Sequence, residues 1–339
     1  MHCPTLKELP PPAHDKKGWP WTKESAQLPD IMPDGRPWPR ISIVTPSYNQ
    51  GQFIEETIRS VLLQGYPNLE YIIIDGGSTD NTIEIIKKYE PRLSHWVSER
   101  DNGQSHAINK GWEKSTGKIL AWINADDRYC PEAIKNIAQA FCKQENIVLV
   151  CGGGQTFDVS GKKLISKKKP NIPNPYLLLE RCGDVPMQPS VFLHRRVLDE
   201  VGFLNTRLHY VMDWEFWIRL GLNYEPDQFI KINKVLSNNR EWKGTKTNEG
   251  WLNVCQEHRY VFNELFRKFP CDLEIQSIKS RAYSASYRKQ ASLAAQNSQT
   301  LKAIKNLFHA WALAPSAYKP LNELGSYLQS FLVRNGLQD

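Results

Sequence analysis

The stretch AWINADDRYCP, residues 121–131, sets two aspartates, Asp126 and Asp127, directly behind the apolar run KILAWIN (118–124). A run this short and this continuously apolar reads as a buried strand. Neighbouring carboxylates repel, and charge at the edge of a core needs a partner. The question the pair raises is what it holds.

Working outward, similar runs recur at ISIVT (41–45), LEYIIID (69–75), LSHWVS (93–98) and NIVLVC (146–151). Between them the periodicity is helical: Ile54, Ile58, Val61 and Leu62 share a face, as do Ile83, Ile86 and Tyr89, and Ile134, Ile137, Ala138 and Phe141. Asn81, with Glu84 three residues on, predicts a capping box. Apolar strands alternating with helices imply an α/β fold with a mostly parallel central sheet covered on both faces. Ligands of such sheets bind beyond the carboxyl ends of the strands. At those positions stand TPSYNQG, DGGSTD, ERDNGQSHAINKG and NADD, so Asp75, Asp80, Asp101, Asp126 and Asp127 are expected on one rim. Clustered carboxylates raise their own pKa values, whereas a divalent cation neutralises them. Hard oxygen ligands with no nearby Cys or paired His favour Mg2+ or Mn2+ over zinc. The competing reading, helix caps and Asx turns, is the better one for Asp80.

Composition narrows the class. With 339 residues, 40% of them hydrophobic, the chain has material for one large domain plus extensions. No run approaches a membrane span and the start lacks the apolar segment of a signal peptide, so a cytoplasmic protein is expected. Seven scattered cysteines without a C-x-x-C pair suit reduced thiols better than a disulfide framework or zinc site. The net charge of +7 favours anionic partners in general without choosing among them. Residues 1–39, rich in proline and tryptophan, predict an irregular arm pinned by Trp19, Trp21 and Trp38.

Taken in order and spacing, ISIVTPSYNQGQFIEETIRSVLLQ, YIIIDGGSTDNT, GQSHAINKG, AWINADD and MDWEFWIRLG resemble the family 2 glycosyltransferases of the GT-A fold, across about residues 40–225. The resemblance implies a GT-A-type nucleotide-sugar-binding fold and a sugar transferred from a nucleoside-diphosphate donor to an acceptor hydroxyl. It places the nucleotide against Thr45, Pro46 and Asp75, with Asp75 accepting from a base N–H. Gly103, Gln104 and Asn109 fall where the family contacts nucleotide and ribose. NADD corresponds to the family's D-x-D variant, so Asp127 would coordinate the metal on the donor diphosphate, and Asp126 would touch the ribose or share the metal. The family's general base falls on Asp213, and the reaction it implies is one in-line displacement with inversion. The plainer reading of Asp213 is a helix N-cap; Glu215 is the next candidate base. Trp214 could stack on a sugar, although tryptophan at helical spacing is more often core.

By the same resemblance the acceptor is a saccharide, a lipid-linked glycan or a protein, in surface polysaccharide or glycan synthesis, with no nucleic-acid partner. Alternatives are a non-catalytic sugar-nucleotide binder and a nucleotidyltransferase; TPSYNQGQ lacks the basic residue of the latter. CGGGQTFDVSGKKLISKKKP (151–170) reads as a strand and hairpin around Ser160-Gly161, its lysines a solvated face or a contact with an anionic membrane surface or a lipid-linked diphosphate acceptor. His194 could reach the diphosphate, but an ordinary packed or surface histidine is the better reading. The expected domains are the arm (1–39), a catalytic domain (40–250) and a helical region (251–339). In the last, Leu301, Ile304, Phe308 and Trp311 share a face near Pro315, and LKAIKNLFHAWALAPSAY faintly resembles a tetratricopeptide helix. That region would pack on the catalytic domain, bind a partner or second copy, or lie peripherally on the inner membrane surface.

Overall fold

The computed structural model describes residues 1–160, 164–183, 185–242, 244, 250–296 and 299–315. The tip of the hairpin at Gly161, with Lys162 and Lys163, lies outside the described residues. The strands are β1 (Ile41–Ser47), β2 (Leu69–Asp75), β3 (His95–Ser98), β4 (Ile119–Trp122), β5 (Arg128–Tyr129), β6 (Leu149–Phe157), β7 (Leu164–Lys168), β8 (Val191–His194) and β9 (Phe229–Arg240). They form one mixed sheet in the order β3-β2-β1-β4-β8-β6-β9-β5, with β7 beside β6. All five expected strands are present. The run β3-β2-β1-β4 is parallel, β8 enters antiparallel between β4 and β6, and β6 and β9 are parallel.

Four helices follow the parallel strands and the rim: α1 (Ile54–Leu62), α2 (Thr82–Tyr89), α3 (Gln104–Lys114) and α4 (Ala133–Phe141). The apolar faces of α1, α2 and α4 close over the core formed by Ile41, Ile43, Ile58, Val61, Ile73, Ile86, Ile134 and Ile137, while α3 packs on β1 and β2 with Gly111 against Val44. The face of α2 is shifted from expectation: Thr82, Ile85, Ile86 and Tyr89 are buried while Ile83 is half-buried. The capping box is absent too. Asn81 occupies the N-cap position without a side-chain bond. Asp80 does the capping instead, its Oδ1 accepting from the Thr82 N–H at 3.0 Å and its Oδ2 from the Gly51 N–H at 2.9 Å.

The glycine run after β6 begins has a packing cause. A Cβ on Gly152 would stand 2.4 Å from Leu236 of β9, and one on Gly154 would stand 2.5 Å from Met187. Only bare backbone fits there, and the β6–β9 register shifts at the same residues.

The arm is irregular apart from one short 3-10 turn, Leu6–Glu8, and an isolated antiparallel bridge between Ile31 and Pro37. Trp38 is buried with its indole N–H on the Pro29 carbonyl, and Trp19 donates to the Tyr129 carbonyl at 2.7 Å. The strongest tie is fully buried Arg59 of α1, whose guanidinium donates to the carbonyls of Pro10, Pro20 and Trp21 and to Tyr89 Oη. Five donors in a rigid fork suit this multiple capture, and removing them would strand the carbonyls.

By its contacts the chain divides into two units, one of residues 1–172, 185–213 and 223–242, the other of residues 173–184, 214–222 and 243–339. This differs from the linear boundaries expected: the arm joins the sheet unit, and two internal segments join the C-terminal helices. The second unit is helical, built from Pro175–Arg181, the body of α5 (Met212–Asn223), Trp251–Lys268, Leu273–Ser277, Lys279–Gln296 and Thr300–Leu313. Trp214 and Trp217 are buried here. Trp214 lies edge-on to buried His258 at 4.5 Å, and burial lowers the pKa of that imidazole to about 3, keeping it neutral. Alanines 291, 294, 303 and 310 let the last two helices approach closely. Thr300–Leu313 buries Ala303, Asn306, Leu307 and Ala310, while Leu301, Phe308 and Trp311 of the apolar face named from the sequence are exposed.

Candidate active site

The register of the sheet builds the rim. Ser47 pairs with Asp75, and Asp75 with Ser98, so β1, β2 and β3 end side by side. The Ile123 N–H donates to the Val44 carbonyl, which brings the segment leaving β4 alongside β1. The loops after β1 and β2 are then zipped together. Asn49 N–H donates to Ser78 Oγ, Asn49 Oδ1 accepts from the Thr79 N–H, and Gln50 N–H donates to Thr82 Oγ1.

Asp75 is fully buried and its carboxylate is saturated. It accepts from the N–H groups of Gly77 (3.1 Å) and Ser78 (2.8 Å) and from the hydroxyls of Ser78 (2.5 Å) and Ser98 (2.6 Å). Thr45, also buried, shares a 3.0 Å hydrogen bond with Tyr71 Oη, and Pro46 pairs with Ile74 inside the sheet. Thr45 and Asp75 thus serve first as scaffold. Two polar atoms of the same strand end lack protein partners, Ser47 Oγ and Gln50 Oε1, both buried. Orphaned buried polar atoms are costly, and here they sit where the resemblance puts the nucleotide.

Asp126 and Asp127 leave β4 in a tight turn closed by the Asp127 N–H on the Asn124 carbonyl. Thr57 of α1 braces it, its hydroxyl bonding the carbonyls of Ala125 and Asp127. Asp127 is 4% exposed. Its Oδ1 accepts from the Arg240 N–H at 3.0 Å, and its Oδ2 has only Asn124 Nδ2 at 3.4 Å. Asp126 Oδ2 accepts from the Trp242 indole N–H at 3.0 Å. Burial raises the pKa of both carboxyls, and the neighbouring Asp126 charge raises Asp127 further, well above the ordinary aspartate value.

Arg240 and Trp242 are the residues the sequence reading missed. The Arg240 guanidinium donates to the Asp126 carbonyl through Nε and to Glu56 through Nη2, and lies 4.8 Å over the Phe53 ring. Trp242 packs edge-on to the same ring at 5.1 Å. Glu56 is also paired with Arg128. An Arg-x-Trp after a strand carries no spacing signal, and only the β9 register brings it to the pair.

Helix α3 links the pair to the segment before Asp213. Gly103, with φ +97°, is the residue that enters α3, a left-handed backbone for which glycine is suited. Gln104 Nε2 donates to Asn124 Oδ1 at 2.7 Å. Ser105 Oγ reaches the Leu208 carbonyl and Met212 Sδ. Asn109 is spent on structure: its amide bonds both the carbonyl and the N–H of Leu204. Asp213 is the second residue of α5, within the first turn and not at an N-cap, and it is half-buried. An acid there is favoured by the helix dipole. Glu215 is clasped at both oxygens by Arg219. His194 accepts from the Arg196 N–H, and burial lowers its pKa.

The donor set at Asp126 and Asp127 is hard oxygen, and among the described residues no cluster of three or more His, Cys, Asp or Glu side chains is placed to hold a metal. Two carboxylates, with remaining positions open to phosphate and water, is the pattern by which Mg2+ and similar ions are held. The residues present fit such an ion.

Comparison with known proteins agrees with this geometry. Residues 42–202 match the family model "Glycosyl transferase family 2". An uncharacterized glycosyltransferase of Rickettsia prowazekii is 26% identical over 242 residues, 68% of this chain and 72% of that protein. The crystal structure of S. aureus TarS in complex with UDP-GlcNAc superposes with a TM-score of 0.56 at 16% identity, over 88% of this chain and 92% of that one. A mannosyltransferase from Pyrobaculum calidifontis in complex with GDP-Man and Mn2+ gives a TM-score of 0.52 at 21% identity, over 90% and 89%. At these identities the two structures establish the GT-A fold.

Proposed function

Through residues 42–202 the chain belongs to glycosyl transferase family 2 and is a glycosyltransferase, and on that premise we propose that it moves a sugar from a nucleoside-diphosphate donor to an acceptor hydroxyl in one inverting displacement. The observation that carries this reading is the under-bonded pair of half-buried Asp126 and buried Asp127 on the rim. Asp126 and Asp127 are the residues that would hold Mn2+ or Mg2+, an ion whose chemistry is to stabilise the negative charge of the departing diphosphate. The ions and nucleotide sugars bound by the structural relatives support it.

The chain's own groups supply the rest. The β1 end, with Thr45, Pro46, Ser47 and Gln50, would receive the nucleotide, and Asp75 would rigidify that wall. Gly103 and Gln104 open α3 beside the donor, and Gln104 orients Asn124 next to the metal-holding pair. Asp213 would take the proton of the acceptor hydroxyl as its oxygen bonds the anomeric carbon and the bond to the diphosphate oxygen breaks. The motif resemblance supports a saccharide, lipid-linked or protein acceptor in surface glycan assembly.

A thermal-shift panel of UDP- and GDP-sugars with and without Mn2+ tests the donor side, since a ligand of the native state alone raises Tm. Metal-dependent stabilisation followed by hydrolysis or transfer supports the proposal; stabilisation with no turnover across broad acceptors would return the non-catalytic binder.

A further inference from the structure

The Thr300–Leu313 helix exposes the apolar stripe that its sequence marks for burial. Leu301 is 85% exposed, Phe308 57% and Trp311 44%, with Ile304 between them half-buried. Leaving two aromatic rings and a leucine in water on one helix face is unfavourable unless something covers them. The flank of the stripe is basic. Lys302, Lys305 and His309, spaced like the apolar residues and one step round the helix, are all exposed. No Asp or Glu occurs between Glu274 and Glu323, whereas Lys279, Arg281, Arg288, Lys289, Lys302, Lys305 and Lys319 do.

We propose that this face docks on an anionic lipid surface, with Leu301, Phe308 and Trp311 at the acyl boundary and Lys302 and Lys305 at the headgroups. An apolar stripe carrying Trp and Phe beside a lysine-rich, acid-free flank is the composition of a helix that lies in the membrane interface. Charge selects the occupant: a second copy would set the same positive flank against itself, whereas an anionic leaflet attracts it. The helix lies along the surface, because no described helix is long and apolar enough to cross a membrane. The proposal stands independently of the Asp126–Asp127 reading.

The test is co-sedimentation of the full chain with phosphatidylcholine vesicles, with and without phosphatidylglycerol. Binding is expected only to the anionic vesicles, weakening as salt is raised. The doubly substituted Phe308→Ser, Trp311→Ser chain should lose about tenfold or more in partitioning. Each of Lys302→Gln and Lys305→Gln should lose about fivefold. All four side chains are exposed, so circular dichroism and Tm should stay at wild-type values. Equal binding to both vesicle types, binding to neither, or unchanged partitioning of the serine variant overturns the proposal. So does a serine variant that instead turns a dimer into a monomer in analytical ultracentrifugation, which would assign the stripe to a second copy.

Discussion

Two strand ends on the same rim carry aspartates built in opposite ways. At the end of β2, Asp75 receives four donors from its own turn and from Ser98. At the end of β4, Asp126 and Asp127 share a short, incomplete set, with burial driving both pKa values upward. A saturated carboxylate is a structural knot; an under-bonded buried pair stores unfavourable charge that a cation can relieve. The difference separates scaffold from site within one rim, although both stations are strand-end aspartates in sequence.

Substitutions can break the comparison. The largest effect is expected at Asp213: Asp213→Asn should lower kcat about 10²- to 10⁴-fold with Tm unchanged, as loss of a general base does. Asp127→Asn should lower kcat about 10²- to 10³-fold while leaving Tm equal or higher, because a buried charge has been removed. Asp75→Asn should do the reverse, lowering stability by about 1.5–3 kcal/mol in denaturant titration, with activity lost only as native protein is lost. Equal Tm losses at Asp75 and Asp127 would erase the distinction.

A pH series sharpens it. Native carboxyls raised above the unfolded value of about 4 make the folded state hold more protons, so the pair's contribution to stability is lost as pH rises through the native pKa. The metal-free chain should therefore gain stability between pH 5 and 8 when Asp127 becomes Asn, and Mn2+ should restore the wild type more as pH rises. The smallest effect is expected at Trp242→Phe, which keeps the ring against Phe53 and deletes the N–H to Asp126. It should raise the Mn2+ concentration for half-maximal activity about threefold to tenfold with kcat near wild type, the scale on which partners behind metal ligands act.

Much of this was legible in the residues. Apolar runs placed β1, β2 and β4 because strands buried on both faces leave little else to encode, the half-buried edge strand β3 was still marked by its run LSHWVS, and rim positions followed from parallel order. Asp80 as a turn residue and the core role of Trp214 were also readable. The partners of the pair were not: Arg240 and Trp242 lie far along the chain and arrive through β9 pairing, which local periodicity does not carry. Asn109 was placed with the nucleotide contacts, but its two-ended amide is taken by Leu204. The last helix has two stripes that can pack, one of Leu301, Ile304, Phe308 and Trp311, the other of alanines around Leu307, and the sequence left open which one does. Close helix approach selected the small one.

The most direct measurement is calorimetric titration of UDP- and GDP-sugars into the wild-type chain and into Asp127→Asn, with Mn2+ and again with chelator. The account predicts that at least one donor binds the wild type only when Mn2+ is present and that the variant loses this binding while staying folded. Equal donor affinity in chelator, or undiminished Mn2+-dependent binding in Asp127→Asn, would contradict it.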